Sequence, residues 1–203
     1  MPDIDAVTEI DANYRDAVCA GETWVDRHFL RCDFTEADLH GLRTQGCTFT
    51  DCRFVRTDLG ESSHASSALR TCTFQRASLG GSSWHRCSLL GSTIVDCRIR
   101  PVTVADSDLT LVGLGGADLR GTDLSRLRLR EANLSEADLR EVDLRHADLS
   151  GARLLRTRLD GADLRGTVLD ADGLVQASLR GAHVDTDTAL AFAAAHGLRW
   201  SAE

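Results

Sequence analysis

Ten aspartates recur in one repeating frame: Asp33, Asp38, Asp58, Asp108, Asp118, Asp123, Asp138, Asp143, Asp148 and Asp163 all lie at multiples of five residues from one another. Acid–base catalysis needs polar groups that converge on one reacting atom in a concave site. Carboxylates repeated at a constant step suit an extended anionic surface instead. The other reactive side chains are seven cysteines and seven histidines. No CxxC pair occurs and the cysteine count is odd, so neither a disulfide framework nor a zinc signature is present. His28, His40, His64, His85, His146, His183 and His196 show no metal-ligand spacing. No nucleophile–base set, phosphate loop or cofactor signature appears. The expectation is a chain that is not an enzyme, with no catalytic residue, no metal and no cofactor.

The frame that places the aspartates is set by apolar residues. Every fifth position from Trp24 to Val184 carries a large apolar side chain, with Thr44 and His64 as the two exceptions among 33 positions. Only 42% of the chain is apolar, so the register is not chance. Two residues before each of these positions the side chain is small in 28 of 33 cases. Residues two apart on an extended chain point the same way. The small and the large residue therefore face inward, and the residue between them, where the ten aspartates sit, faces out. The remaining two residues must lie outside as well, which requires a turn. Each five residues is thus a short extended side followed by a corner.

Corners of one hand wind the chain into a solenoid whose coils stack at about 4.8 Å. Cys32, Cys52 and Cys72 recur every 20 residues, as do Phe34, Phe54 and Phe74. Four sides per coil would stack each set, giving roughly eight coils and a rod about 40 Å long. With four sides His64 stacks between Thr44 and Trp84 as a core imidazole held by hydroxyls or backbone. Six cysteines (Cys32, Cys47, Cys52, Cys72, Cys87 and Cys97) take the small inward position, as reduced core thiols. Asp123, Asp143 and Asp163 form a ladder on one face. Asp118 and Asp138 form another on the adjacent face, with Glu136 and Glu141 close by. Arg120, Arg140, Arg145 and Arg165 lie near enough to offset much of this charge, and Asp in this place also serves turn formation and solubility.

The expected organisation is an acidic extension or cap over residues 1–22, a β-helix over 23–185, and a helix with tail over 186–203. Ala12-Asn13-Tyr14 and Ala17-Val18-Cys19 keep the frame faintly, so a solenoid starting near residue 12 and an acidic N-terminal helix or arm are both open. Asp185-Thr186-Asp187 supplies an N-cap, residues 188–196 are Ala-rich, and Gly197 is the C-terminal stop. Leu190, Phe192, Leu198 and Trp200 make this end more apolar than a cap requires, which points to a homodimer contact.

The net charge is −8, and residues 1–26 hold seven acids against Arg15. An acidic chain without a basic stripe argues against direct nucleic-acid binding. There is no apolar run long enough to span a bilayer and no basic start of a secretory signal. No membrane association and a cytoplasmic location are expected. The inverse of nucleic-acid binding remains. B-DNA presents a charge every ~3.4 Å along each strand, and a stacked solenoid presents one per coil.

Stretches such as Ala117-Asp118-Leu119-Arg120-Gly121 and Ala137-Asp138-Leu139-Arg140-Glu141 resemble the pentapeptide repeat family and its A(D/N)LXX consensus. The resemblance implies an all-β fold, a right-handed quadrilateral β-helix with a short C-terminal α-helix. Trp24-Val25-Asp26, Cys97-Arg98-Ile99-Arg100-Pro101, the run Leu114 to Gly121 and the ending Ala191 to Leu198 are similar to the actinobacterial fluoroquinolone-resistance branch. That branch implies a dimer joined at its C-terminal ends and a DNA-like rod that binds DNA gyrase. It also implies inhibition of supercoiling, or protection from quinolones. On this resemblance the gyrase-binding residues would be Asp118, Asp123, Asp138, Glu141, Asp143 and Asp163. A scaffold that binds another protein through Arg-containing faces or its N-terminal arm is the alternative.

Overall fold

The large inward residue of every five, with the small one two places before it, is what builds the fold, because these two find a place out of water. In the computed structural model, which describes residues 8–199, these residues and their small partners form one continuous apolar core from Trp24 to Leu174. Short strands flank them: β1 (Thr8–Ile10), β2 (Thr23–Val25), β3 (His28–Leu30), β4 (Arg43–Gln45), β5 (Thr48–Thr50), β6 (Arg53–Val55), β7 (Ser63–Ala65), β8 (Ala68–Arg70), β9 (Thr73–Gln75), β10 (Ser83–His85), β11 (Thr93–Val95) and β12 (Thr103–Ala105). Two helices follow, α1 (Ala171–Leu174) and α2 (Thr186–Ala195).

All strand pairs are parallel, and each residue pairs with the one 20 positions on, as in Phe29↔Phe49 and Trp84↔Val104. A coil therefore has four sides of five residues. We name the faces by their central residues: face A carries Phe29 and Phe49, face B Phe34 and Phe54, face C Leu39 and Leu59, face D Trp24 and Trp84. The sheet β1-β3-β5-β8 lies on face A, β6-β9-β11 on face B and β2-β4-β7-β10-β12 on face D. Beyond residue 105 the sides shorten to single bridges in the same register, such as Asp123↔Asp143↔Asp163. The result is a parallel β-solenoid with a short C-terminal helix.

The corners are left-handed. The second residue after each central one has φ between +49° and +62° at 21 non-glycine positions, Asp26, Arg56 and His146 among them. Such a conformation costs an L-residue roughly 1–2 kcal/mol, which the stacking offsets. Gly46 takes this corner where a Cβ would come within 2.0 Å of the Asp26 carboxylate.

The core changes character along the rod. Phe34, Phe54 and Phe74 stack with centroids 5.0 and 4.7 Å apart, and below them leucines take over. His64 lies fully buried against the Trp84 ring at 3.9 Å. Its Nδ1 bonds the Thr44 hydroxyl at 2.8 Å and its Nε2 the Ser62 hydroxyl at 2.9 Å. Burial pushes its pKa down to about 3, so the ring stays neutral at physiological pH. Cys32, Cys47, Cys52, Cys72 and Cys87 are buried thiols that donate to backbone carbonyls, while Cys97 is half-buried.

Two boundaries differ from the sequence-based expectation. Residues 8–22 are not an extension but part of the first coil: β1 pairs with β3, and the Tyr14 ring stacks on Phe34 at 4.8 Å. The pattern was hidden because Glu9 takes an apolar position and Arg27 a small one. These two pair with each other, the Tyr14 hydroxyl joins them, and the Arg27 guanidinium lies over Trp24 and Phe29 at 4.7 and 4.9 Å. A polar plug thus closes this end of the core. The second difference is α1, which replaces the face-B side of the last coil. It keeps Leu174 buried but displaces the chain, so that Arg156 N–H meets the Gln176 carbonyl.

Candidate protein-binding surface

The ten repeated aspartates share one local geometry. In every one, a carboxylate oxygen accepts the backbone N–H two residues on: Asp33 from Thr35, Asp38 from His40, Asp58 from Gly60, Asp108 from Thr110, Asp118 from Arg120, Asp123 from Ser125, Asp138 from Arg140, Asp143 from Arg145, Asp148 from Ser150 and Asp163 from Arg165. Asn13 and Asn133 do the same. The coil-to-coil ladder uses the N–H groups on either side of this one, as at Asp38, Leu39 and Gly41. Asp or Asn at this place therefore satisfies an amide that stacking leaves over.

Stacking then brings the carboxylates into columns. Asp118 and Asp138 are bridge partners on face C, and Asp123, Asp143 and Asp163 are partners in succession on face D. Four of these five are paired by an arginine from their own coil. Arg120 Nη2 lies 2.7 Å from Asp118, Arg140 2.7 Å from Asp138, Arg145 2.6 Å from Asp143 and Arg165 2.6 Å from Asp163. Neighbouring coils add Arg100 to Asp118 and Arg158 to Asp138, each at 3.3 Å. Hydrogen bonds from these guanidiniums hold the Asp118, Asp138 and Asp143 carboxyls below the usual range and Asp163 at about 2. The columns are thus ionised but compensated.

Asp123 and Glu141 stand apart. Among the described residues no cation lies within ion-pair distance of either, although Asp123 retains its backbone bond. Glu141 stands at a left-handed corner beside Arg100, Arg120, Gly121 and Arg140, around a polar groove of about 230 Å³. The six residues expected from the sequence thus fall on the two adjacent faces C and D and the corner between them. Arg100 and Arg158 were not anticipated, because they reach the columns from other coils.

At the C-terminal end, Asp185 caps α2 by accepting the Thr188 N–H at 2.8 Å, and Gly197 ends it with φ +79°. Leu190 is half-buried, and Phe192 turns toward the last coil, lining a groove of about 200 Å³ with Leu174, Leu179, Val184 and Ala189. Leu198 is 65% exposed. Trp200 lies outside the described residues. No group of three His, Cys, Asp or Glu side chains among the described residues is placed to hold a metal ion. No described helix is long and apolar enough to cross a membrane.

Comparison with known proteins agrees with this geometry. The family model for pentapeptide repeats matches eight copies within residues 28–63 and 128–170. The chain is 51% identical over 62 residues to the pentapeptide repeat protein MfpA of Mycolicibacterium smegmatis, covering 30% of each chain. It is 52% identical over 66 residues to MfpA of Mycobacterium tuberculosis, covering 32% of this chain and 36% of that one. The matched stretch spans about a third of the length of these relatives. QnrB1, a plasmid-mediated fluoroquinolone resistance protein, superposes with a TM-score of 0.82 over 97% of this chain and 98% of its own, at 21% identity. HetL of Nostoc, a pentapeptide repeat protein involved in heterocyst differentiation regulation, superposes at 0.71 over 88% and 87%, at 19% identity. At these identities the structural likeness concerns the fold alone. With one five-residue unit stacked coil on coil from Thr8 to His183, and eight of its copies matched by the family model over residues 28–63 and 128–170, this chain resembles the pentapeptide repeat family in sequence and shares its fold.

Proposed function

We propose that this protein is a non-catalytic, cytoplasmic binding protein that occupies the DNA-binding surface of DNA gyrase, modulating supercoiling and protecting the enzyme from fluoroquinolones. The observation that carries the reading is the pair of aspartate columns on faces C and D, Asp118↔Asp138 and Asp123↔Asp143↔Asp163, repeated at the coil spacing. Two adjacent lines of carboxylates ~4.8 Å apart imitate the phosphate lines that a DNA-binding protein neutralises. The identity to MfpA over part of the chain and the fold of the resistance protein QnrB1 support the same reading.

The compensating arginines shape how such binding works. Arg120, Arg145 and Arg165 are 43–58% exposed, and ion pairs this wet contribute little. A cationic gyrase surface can therefore exchange with them, while Asp123 and Glu141 offer charge at first encounter. The second copy joins at the C-terminal end through Leu190, Leu198 and Trp200, with Phe192 bracing the helix from behind. A twofold dimer so joined is a longer rod with the same columns at both ends.

A second reading is favoured by the ion pairing itself: a compensated rod is a poor polyanion, and HetL carries the same fold with a different described role. In that reading the rod is a scaffold for another protein. Titrating the protein into a supercoiling assay with gyrase from the same host, with and without a fluoroquinolone, separates the two. Loss of supercoiling or rescue from drug-induced cleavage supports the gyrase reading. No effect at large excess removes it and leaves the scaffold.

A further inference from the structure

The coils are not stacked equally along the rod. On face A the ladder runs unbroken through Ser88, Asp108 and Arg128, and on face B through Thr93, Gly113 and Asn133. On face C it stops at Ser78↔Arg98 and resumes at Asp118↔Asp138. On face D it stops at Trp84↔Val104 and resumes at Asp123↔Asp143. The bonds that should cross between are missing. Leu79 N–H meets the Arg98 carbonyl at 2.7 Å and Leu119 N–H that of Asp138 at 2.9 Å, yet among the described residues Ile99 N–H has no such bond to Asp118. Nor does Val104 bond to Asp123, or Asp118 back to Cys97.

Three further observations mark the same level. Pro101 has no N–H at the corner where Gly121 donates to the Arg140 carbonyl at 2.9 Å. A Cβ built on Gly121 would meet nothing within 4 Å, whereas one on Gly81 meets the Glu61 backbone nitrogen at 3.4 Å. On face A the Arg128–Ser107 backbone bond is stretched to 3.5 Å. Beneath the gap the core holds an apolar cavity of about 40 Å³, walled by Trp84, Ile94, Ile99, Val104, Leu119 and Leu124 among others. Its lining lacks the dispersion contacts that fill the core elsewhere. Ladder bonds and packing, the two forces that hold one coil to the next, are both weakened at this level, and the bridge ladders are interrupted on faces C and D while those of faces A and B persist.

We propose that this seam is a hinge. The coils above it and those below it are two rigid stacks, joined by the ladders of faces A and B and opening on faces C and D. The Arg100–Asp118 pair, at 3.3 Å and with both side chains at least 40% exposed, is the contact that bridges the open side. Asp118 and Asp123 are the first residues below the seam, so opening tilts both aspartate columns against the N-terminal half of the rod. The hinge is a property of the free chain and stands or falls without any partner.

Two pairs of spin labels test it, introduced as nitroxide-bearing non-canonical amino acids so that native thiols stay untouched. Positions 78 and 178 lie on face C, positions 68 and 168 on face A, and each pair spans five coil steps across the seam, about 24 Å. The hinge gives a face-C distance distribution broader than that of face A, with a tail longer by up to ~5 Å, one strand spacing. Two equally narrow distributions would overturn it. Amide exchange on the unlabelled protein gives an independent reading. Ile99, Val104, Asp118 and Asp123 are expected to exchange at least tenfold faster than Leu109, Leu111 and Leu114, and uniform protection around the coil would count against the hinge.

Discussion

Lowering the pH from 7 to 5 should loosen this rod through one residue, His64. The ring lies 2% exposed between Thr44 and Trp84, and burial lowers its pKa to about 3. An unfolded chain binds the same proton near pH 6.5. Between these values only the unfolded state gains a proton, so stability is full above about 6.5 and falls as the pH drops toward 3. At about 1.4 kcal/mol per pH unit, and allowing for partial titration near 6.5, the step from pH 7 to 5 removes about 2 kcal/mol. For a chain of this size that lowers the melting temperature by about 4–8 °C. The carboxylates whose pKa is lowered in the rod lose their contribution mainly as the pH falls through the unfolded value near 4 and below, and they act equally in the control. His64→Leu is the control. Ser62 keeps its bond to the Leu59 carbonyl at 2.7 Å and Thr44 its bond to Ser67 at 3.0 Å, so neither hydroxyl is orphaned. Thermal unfolding at pH 7, 6 and 5 should show the decline in the natural protein and a nearly flat line in His64→Leu. Equal slopes in both would refute the reasoning.

Other predictions concern the aspartates, the thiols and the rod's end. Asp143→Ala removes the acceptor for Arg145 N–H and should cost about 1 kcal/mol, whereas Asp143→Asn keeps it and should cost under ~0.5 kcal/mol; denaturant unfolding at pH 7 distinguishes them. Because Asp163 titrates at about 2, its bonds stabilise the rod above about pH 4 and are lost toward pH 2, so Asp163→Asn should differ from the natural protein at pH 6 and converge with it at pH 2. A thiol reagent applied to native protein should modify Cys19 and Cys97 first, since burial leaves Cys32, Cys47, Cys52, Cys72 and Cys87 at most 3% exposed; mass mapping reads the order. Leu198→Asp should shift the protein to a monomer in sedimentation analysis without changing its melting temperature.

The coil itself was legible because burial acts on the same two places of every five residues, the large central one and the small one two places before it. A step of 20 places His64 against Trp84 and aligns Asp123, Asp143 and Asp163, as the structure does. The first coil was less visible, because Glu9 and Arg27 satisfy inward positions by pairing rather than by apolarity. α1 keeps Leu174 in frame while the backbone around it changes. The seam was hidden for a related reason: Ile99, Val102 and Val104 obey the pattern, and what fails is backbone bonding around Pro101. For the surface, sequence gave the positions of the carboxylates and the nearby arginines Arg120, Arg140, Arg145 and Arg165. It did not show that all ten aspartates are committed to a backbone amide, nor that Arg100 and Arg158 arrive from adjoining coils.

That commitment decides how the central claim should be tested. A reversal such as Asp143→Arg removes a structural acceptor along with the charge, whereas Asn removes the charge alone. The most direct measurement is the equilibrium affinity of the natural protein and of Asp123→Asn/Asp143→Asn/Asp163→Asn for host gyrase, at low and high salt and against competing double-stranded DNA. The account predicts tight binding that weakens with salt, is displaced by DNA, and drops at least tenfold in the triple variant while its melting temperature holds within a few degrees. Binding that ignores salt, DNA and all three substitutions would contradict it.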